Sequence, residues 1–168
     1  MFLLQIVLIL FLFFLAVFAL FFIYLMFDKF IKKQLKEDIK NQAVSVIQLG
    51  VIISSSIIFK SIVNPVLNLI NIGIFNHEGH YSLLFENFIL SFLFLSIGLL
   101  FTILIIFSAL YFLMKLTKID EFEEIKQNKI STAIVLSSIM IGLAIIMEDN
   151  IGHLCEIIIP YSKLIQIF

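Results

Sequence analysis

The sequence has few of the residues that soluble proteins expose to water. Charged side chains make up 14% of the 168 residues, about half the usual share. Hydrophobic residues reach 62%, against roughly 45–50% in soluble domains, and the mean hydropathy is +1.17. A water-soluble fold of this length could not bury so much apolar surface. The composition therefore predicts an integral membrane protein.

Three further absences narrow the function. The net charge is −1, so the chain has no positive surplus with which to bind nucleic acid. The single cysteine, Cys155, excludes an intrachain disulfide. The sequence also lacks a glycine-rich phosphate loop, a Ser-His-Asp set and a nucleophile elbow. We therefore expect a protein without catalytic residues, cofactor or nucleic-acid partner, and not an enzyme.

Four apolar runs are long enough to cross about 30 Å of hydrocarbon as helices. They cover about residues 2–27, 43–63, 88–114 and 130–147. The first is rich in phenylalanine on all sides, which leaves no seam for close helix packing and favours a lipid-facing helix. The predicted fold is an all-α integral membrane protein of four transmembrane helices, with the lipid bilayer as its solvent.

The lysines predict the orientation of these helices. Nine of the 11 lysines fall in two loops, residues 28–42 and 115–129, and lysine-rich loops stay in the cytoplasm. We therefore expect a multi-pass protein of the plasma (inner) membrane with both termini outside. Both loops also carry acidic residues. They are either solvated helix ends or a docking surface for a cytoplasmic protein partner or anionic headgroups.

Two segments predict short interfacial pieces on the outer side. Asn64 can cap a helix, Pro65 suits its first position and Gly73 is a plausible stop. The apolar stretch 151–168 is broken at Pro160, which favours an interfacial or re-entrant tail over a fifth span.

The two halves of the chain, residues 1–75 and 76–168, read as a tandem repeat. Each has a phenylalanine-rich span, then a charged loop, then a span rich in small residues. The loops end in similar motifs, Glu37-Asp38-Ile39-Lys40-Asn41 and Glu123-Glu124-Ile125-Lys126-Gln127-Asn128. Small residues recur at an offset of 88, and they are Ala43, Gly50 and Ser54 in the first half and Ser131, Ser138 and Gly142 in the second.

These six small residues predict a helix-packing face. Steps of 7 and 11 residues return to one side of an α-helix, so each even-numbered span carries a stripe without side-chain bulk. In lipid, small residues let helix backbones approach closely. We predict that spans two and four pack on each other through these stripes, and that the protein forms homo-oligomers.

At these motifs the sequence resembles the bacterial four-span inner-membrane family catalogued as domain of unknown function 350. The resemblance rests on Ile39-Lys40-Asn41 followed by Ala43, Gly50 and Ser54, and on the second copy from Ile125 to Gly142. It covers about residues 1–150. It implies four spans in two similar halves and no established activity. This chain departs from the family pattern by having serine in place of one glycine of each pair.

Polar residues on the predicted outer side admit a metal site. His77, Glu78 and His80 lie in the loop, and Asp149, His153, Cys155 and Glu156 follow span four. Imidazole, thiolate and carboxylate groups together can bind zinc. The spacing matches no zinc motif, however, and polar residues are expected at any membrane boundary. We favour a solvated rim and assign no metal ligand.

Polar atoms within spans two and four leave a pore open as an alternative. Gln48, Ser55 and Ser137 could line a water-filled path, or their polar atoms could bond within and between helices. No charged side chain falls near a predicted bilayer centre, as ion-coupled transporters usually require. Our main interpretation is an oligomeric scaffold, assembly or membrane-stress component. The alternative is a small homo-oligomeric channel or transporter for ions or small solutes.

Overall fold

The computed structural model describes residues 2–35, 41–76, 81–116 and 120–158, and their regular structure is entirely helical. The helices are α1 (Phe2–Leu35), α2 (Gln42–Asn76), α3 (Tyr81–Leu116), α4 (Glu121–Lys126) and α5 (Ile130–Ile158). All of them except α4 contain a segment long and apolar enough to cross a membrane. These segments are Leu10–Leu35, Gln42–Asn68, Phe92–Phe112 and Ile130–Ile157. The predicted four-span helical fold is confirmed, and the chain is a multi-pass membrane protein.

Helix α2 lies at the centre of the bundle. Its largest contact is with α5, and it also packs against α3 and α1. Its fully buried side chains recur at helical spacing on the faces toward these neighbours, and they include Ile47, Val51, Ile58 and Ile62. Helices α2 and α5 run parallel, because Val46 pairs with Ser137 near their starts and Lys60 with Glu148 farther along. We call the end that holds α4 and the starts of α2 and α5 the α4 end, and the opposite one the far end.

Helix α1 exposes most of its surface. Phe13, Phe14 and Phe18 are between 63% and 69% exposed, while a single edge that includes Ile23 and Phe27 is buried. Aromatic rings with this exposure have only hydrocarbon to contact in a bilayer. The lipid-facing character expected of the first span agrees with this arrangement.

The predicted separate helix after Asn64 is wrong, because α2 continues without a break through Pro65 to Asn76. A proline lacks the N–H that would donate to the carbonyl four residues earlier, which here belongs to Ser61. The remaining hydrogen bonds and the burial of Pro65 against the bundle keep the helix continuous. Asn64 is therefore an exposed residue inside a helix and not a cap.

The last helix is also longer than expected. The predicted fourth span ended at about residue 147, whereas α5 continues to Ile158. Ile151 and Cys155 are buried one turn apart on the face of α5 that points into the bundle, and their packing extends the helix past Glu148 and Asp149. Of the predicted interfacial tail, residues 151–158 thus belong to α5, and residues 159–168 lie outside the described part of the chain.

Candidate functional site

The contact between α2 and α5 is built from small residues on both helices. Helix α2 brings Ala43, Gly50 and Ser54 to its buried faces. Helix α5 buries Ala133, Ser137 and Ala144. Small side chains allow two backbones to approach until dispersion contacts form along both helices, and this is the main source of helix association in lipid.

The closest approach lies at Gly50. A Cβ atom added to Gly50 would fall 2.6 Å from Cβ and 2.9 Å from Cα of Ser137, which is closer than real side chains approach. The Ser137 hydroxyl lies 3.1 Å from the Val46 carbonyl oxygen of α2 and 2.8 Å from the Ala133 carbonyl oxygen of its own helix. Glycine on one helix and serine on the other therefore give both close packing and a polar contact between helices.

The starts of α2 and α5 are joined by two asparagines. The Asn41 side chain accepts from the Val44 N–H at 2.8 Å, which caps α2, and it donates to the Ile125 carbonyl at 2.7 Å. The Asn128 side chain accepts from the Ala43 N–H at 3.0 Å, and its backbone adopts a φ of 61°, in the left-handed region that asparagine tolerates. These bonds tie α2 to the connection that leads into α5.

The residues predicted to pack from α5 lie elsewhere. Ser131 and Ser138 are exposed, and Gly142 is half-buried, with no atom within 4 Å of where its Cβ would be. The face of α5 toward α2 instead carries Ala133, Ser137 and Ala144. Helix α5 thus has small residues on two faces. Sequence spacing alone would have shown the second set, at steps of 4 and 7 residues, but not which set meets α2.

The three predicted pore-lining residues all have partners inside the bundle. Ser55 and Ser137 are buried, and the Ser55 hydroxyl donates to the Val51 carbonyl at 2.6 Å. The half-buried Gln48 donates its amide N–H to the Asp28 carboxylate of α1 at 2.9 Å. These polar groups thus form hydrogen bonds inside the bundle. The Ser54 hydroxyl does the same, since it donates to the Val51 carbonyl at 3.0 Å.

A network of charged and polar groups holds α4 against the start of α5. The Asp120 side chain caps α4. The Glu124 carboxylate forms an ion pair of 2.7 Å with Lys129 and accepts from the Thr132 hydroxyl. The Lys129 and Thr132 donors lower the pKa of Glu124 below its ordinary value.

The polar residues considered for a metal site do not come together in the structure as far as it describes them. His77, Glu78 and His80 lie outside the described residues. Cys155 is 1% exposed and points into the core, whereas Asp149, His153 and Glu156 are exposed. The His153 imidazole lies 3.6 Å from the Glu156 carboxylate. Among the residues that the structure describes, no group of three or more His, Cys, Asp and Glu side chains is arranged to hold a metal ion.

Comparison with known proteins gives one match. A family model described as Domain of Unknown Function (DUF350) matches residues 1–148, which include all four membrane-spanning segments apart from the last residues of α5. No curated protein and no solved structure matches the chain. The match agrees with the resemblance seen in the sequence, and it assigns no activity.

Proposed function

The chain belongs to the DUF350 family, whose function is unknown, and from its geometry we propose a non-enzymatic membrane scaffold that self-associates through an exposed face of α5. We call this the free face and define it by Ser131, Ser138 and Gly142. It is the second small-residue face of α5, which the contact with α2 leaves uncovered.

The proposal rests on Ser138, which is exposed one turn away from the open space at Gly142. This residue lies eight positions after the start of α5, about 12 Å into the membrane-spanning segment. Its hydroxyl makes no hydrogen bond to another described residue, and the same is true of the exposed Ser108 of α3. The exposed Ser56 and Ser96 instead donate to carbonyls of their own helices at 2.8 and 2.9 Å, a bond that any helical serine can make. The Ser138 hydroxyl can therefore turn either to its own helix or to a neighbour. A second copy can supply an acceptor that hydrocarbon cannot.

The free face also has the shape that a second helix requires. Ser138 and Gly142 are one turn apart and form a small-xxx-small pair, the spacing at which helices cross closely in membranes. All copies insert in one orientation, so the simplest assembly is a twofold dimer in which each α5 packs on the same surface of the other.

The α4 end is the proposed docking side of this scaffold. Exposed groups of both signs crowd there, including Lys33, Asp120, Glu123 and Lys129. Given cytoplasmic lysine-rich loops, this surface would meet a cytoplasmic protein partner. The alternative function, a small channel, is less well supported because Gln48, Ser55 and Ser137 are committed to bonds within the bundle.

Energy transfer between donor-labelled and acceptor-labelled copies in liposomes tests the proposal. In the single chain a side chain at position 142 enters open space, so Gly142→Leu should fold normally. Between two copies, the added leucine would hold the helices apart. We expect energy transfer to fall to the level of two unrelated membrane proteins. Ser56→Leu, which places the same bulk on an exposed position of α2, should leave it unchanged.

Two results would overturn this proposal. One is wild-type energy transfer no higher than that of unrelated membrane proteins at the same protein-to-lipid ratio. The other is unchanged energy transfer in correctly folded Gly142→Leu.

A further inference from the structure

A cavity of about 230 Å³ opens between α2 and α5 at the far end of the bundle. Helix α2 contributes Lys60 and Ser61, and α5 contributes Glu148, Asp149 and Glu156. Gly152 widens the space, because its missing side chain would otherwise stand 3.5 Å from the Ser61 carbonyl oxygen. The cavity is separate from the small-residue contact described above and has no part in the proposed scaffold.

The depth of the cavity matches the edge of the hydrocarbon layer. Lys60 and Glu148 each lie 18 residues after the first residue of their helix, Gln42 and Ile130. At 1.5 Å per residue this is about 27 Å, close to the roughly 30 Å of a bilayer core. The cavity therefore lies where phospholipid headgroups begin.

The wall of the cavity is rich in hydrogen-bond acceptors. Pro65 has no N–H, so the Ser61 carbonyl lacks the helical donor it would otherwise have. This carbonyl faces Gly152, where no side chain covers it. The Asp149 and Glu156 carboxylates lie on the α5 side of the same cavity. Together these groups favour a ligand that donates several hydrogen bonds.

The charges in the cavity favour a cation. Lys60 and Glu148 form an ion pair of 2.9 Å and neutralise each other. The lining also holds Asp149, Glu156 and His153, whose imidazole lies 3.6 Å from the Glu156 carboxylate. With histidine counted as neutral, the two carboxylates leave a negative surplus. A bare ion would occupy little of the space, since even a water molecule in the liquid takes only about 30 Å³. A small organic ammonium group, with three N–H donors, suits both the size and the acceptors.

The rim of the cavity suits the rest of a phospholipid. The Lys60 side chain is 74% exposed there, so its ammonium can approach a phosphate while it stays near Glu148. Ile53 lies two turns nearer the bilayer middle on the same face of α2 and is 39% exposed. It offers apolar surface to an acyl chain.

We propose that this cavity binds the headgroup of an aminophospholipid, with its primary ammonium beside Asp149 and the Ser61 carbonyl and its phosphate at Lys60. Glu156, two turns farther along α5, adds negative charge to the same cavity. Phosphatidylethanolamine has this chemistry. Phosphatidylcholine does not, because its quaternary ammonium has no N–H to donate.

Lipid retention tests this assignment. The full chain is reconstituted in vesicles of equal parts phosphatidylethanolamine and phosphatidylcholine and extracted in mild detergent, and the bound lipids are quantified by mass spectrometry. Charge-assisted hydrogen bonds predict an enrichment of phosphatidylethanolamine of about tenfold. The double variant Asp149→Asn, Glu156→Gln should lose this enrichment. Both positions are exposed, so it should fold.

Two controls separate the causes. Glu123→Gln removes an exposed carboxylate at the α4 end and should keep the enrichment. Gly142→Leu should also keep it, so that failure of the lipid site and failure of self-association can be told apart. Equal retention of both lipids by the wild type would overturn the proposal, as would enrichment that survives in the double variant. Displacement of the bound lipid by excess soluble phosphoethanolamine but not by phosphocholine would support the headgroup assignment, and equal displacement by both would overturn it.

Discussion

At the scale of single residues, Gly50 and Gly142 lie in different surroundings. Gly50 touches the backbone and side chain of Ser137, whereas Gly142 has no neighbour within 4 Å of a Cβ position. Both lie inside helices that span the membrane, so replacement by alanine has the same effect on backbone freedom at each. The difference between the two variants therefore isolates the contact between α2 and α5.

We expect Gly50→Ala to lower the free energy of unfolding by about 1–3 kcal/mol, because the new methyl group forces the helices apart. Gly142→Ala meets no neighbour and should raise it by about 0.5–1 kcal/mol, because alanine loses less backbone freedom than glycine on folding. Reversible unfolding in mixed micelles, followed by circular dichroism, measures both. Equal stability of the two variants would mean that α2 and α5 do not approach at Gly50 as described.

At the scale of helices, the junction of α4 and α5 depends on an ionised carboxylate. Lys129 and Thr132 stabilise the charged form of Glu124, so its pKa is lower in the folded protein than its ordinary value of 4.5. A lowered pKa adds stability that is fully present above pH 4.5 and is lost as the pH falls through the folded value.

The free energy of unfolding should therefore decline between pH 5 and pH 3 more steeply in the wild type than in Glu124→Gln. Glu123→Gln, an exposed neighbour without an ion pair among the described residues, should follow the wild-type curve. Chemical unfolding across this pH range measures the three slopes. If Glu124→Gln and the wild type declined in parallel, the ion pair with Lys129 would not contribute to stability.

The helices could be predicted from the sequence more completely than the contacts between them. A helix that crosses a bilayer needs about 20 apolar residues in a row, and such runs are visible in the sequence. All four membrane-spanning helices were therefore predicted. Pro65 led to the wrong prediction of a separate helix after Asn64, because a proline can either begin a helix or lie inside one. The burial of Pro65 decides between these two cases, and it cannot be read from the sequence. On α5, the sets Ser131, Ser138, Gly142 and Ala133, Ser137, Ala144 have equally regular spacing. Only the position of α2 decides which of them is buried.

At the scale of the whole molecule, the lysine bias predicts that the α4 end faces the cytoplasm. Cys155 is too deeply buried to report this by labelling. In a Cys155→Ala background, the exposed positions give matched probes, His153→Cys at the far end and Glu123→Cys at the α4 end. A membrane-impermeant thiol reagent added to spheroplasts should label the first and spare the second until lysis. The reverse pattern would invert the orientation and move the proposed lipid site to the inner leaflet.

The scaffold proposal also concerns the whole molecule, because a scaffold must hold more than one copy together. The free face of α5 is the surface assigned to that contact, and the reason for the assignment is the exposed Ser138 together with the open space at Gly142. Helix association in lipid is driven by packing and interhelical hydrogen bonds, so dilution in the plane of the bilayer should not readily separate the copies.

The most direct test of this account is the number of wild-type copies that travel together in a bilayer. The full chain, labelled with one fluorophore per copy, is reconstituted at high lipid dilution, and photobleaching steps are counted for each diffusing spot. We expect most spots to bleach in two or more steps, at a ratio of protein to lipid where an unrelated monomeric membrane protein bleaches in one. Single-step bleaching of nearly all spots would show that the free face of α5 contacts lipid alone, and it would contradict the scaffold proposal.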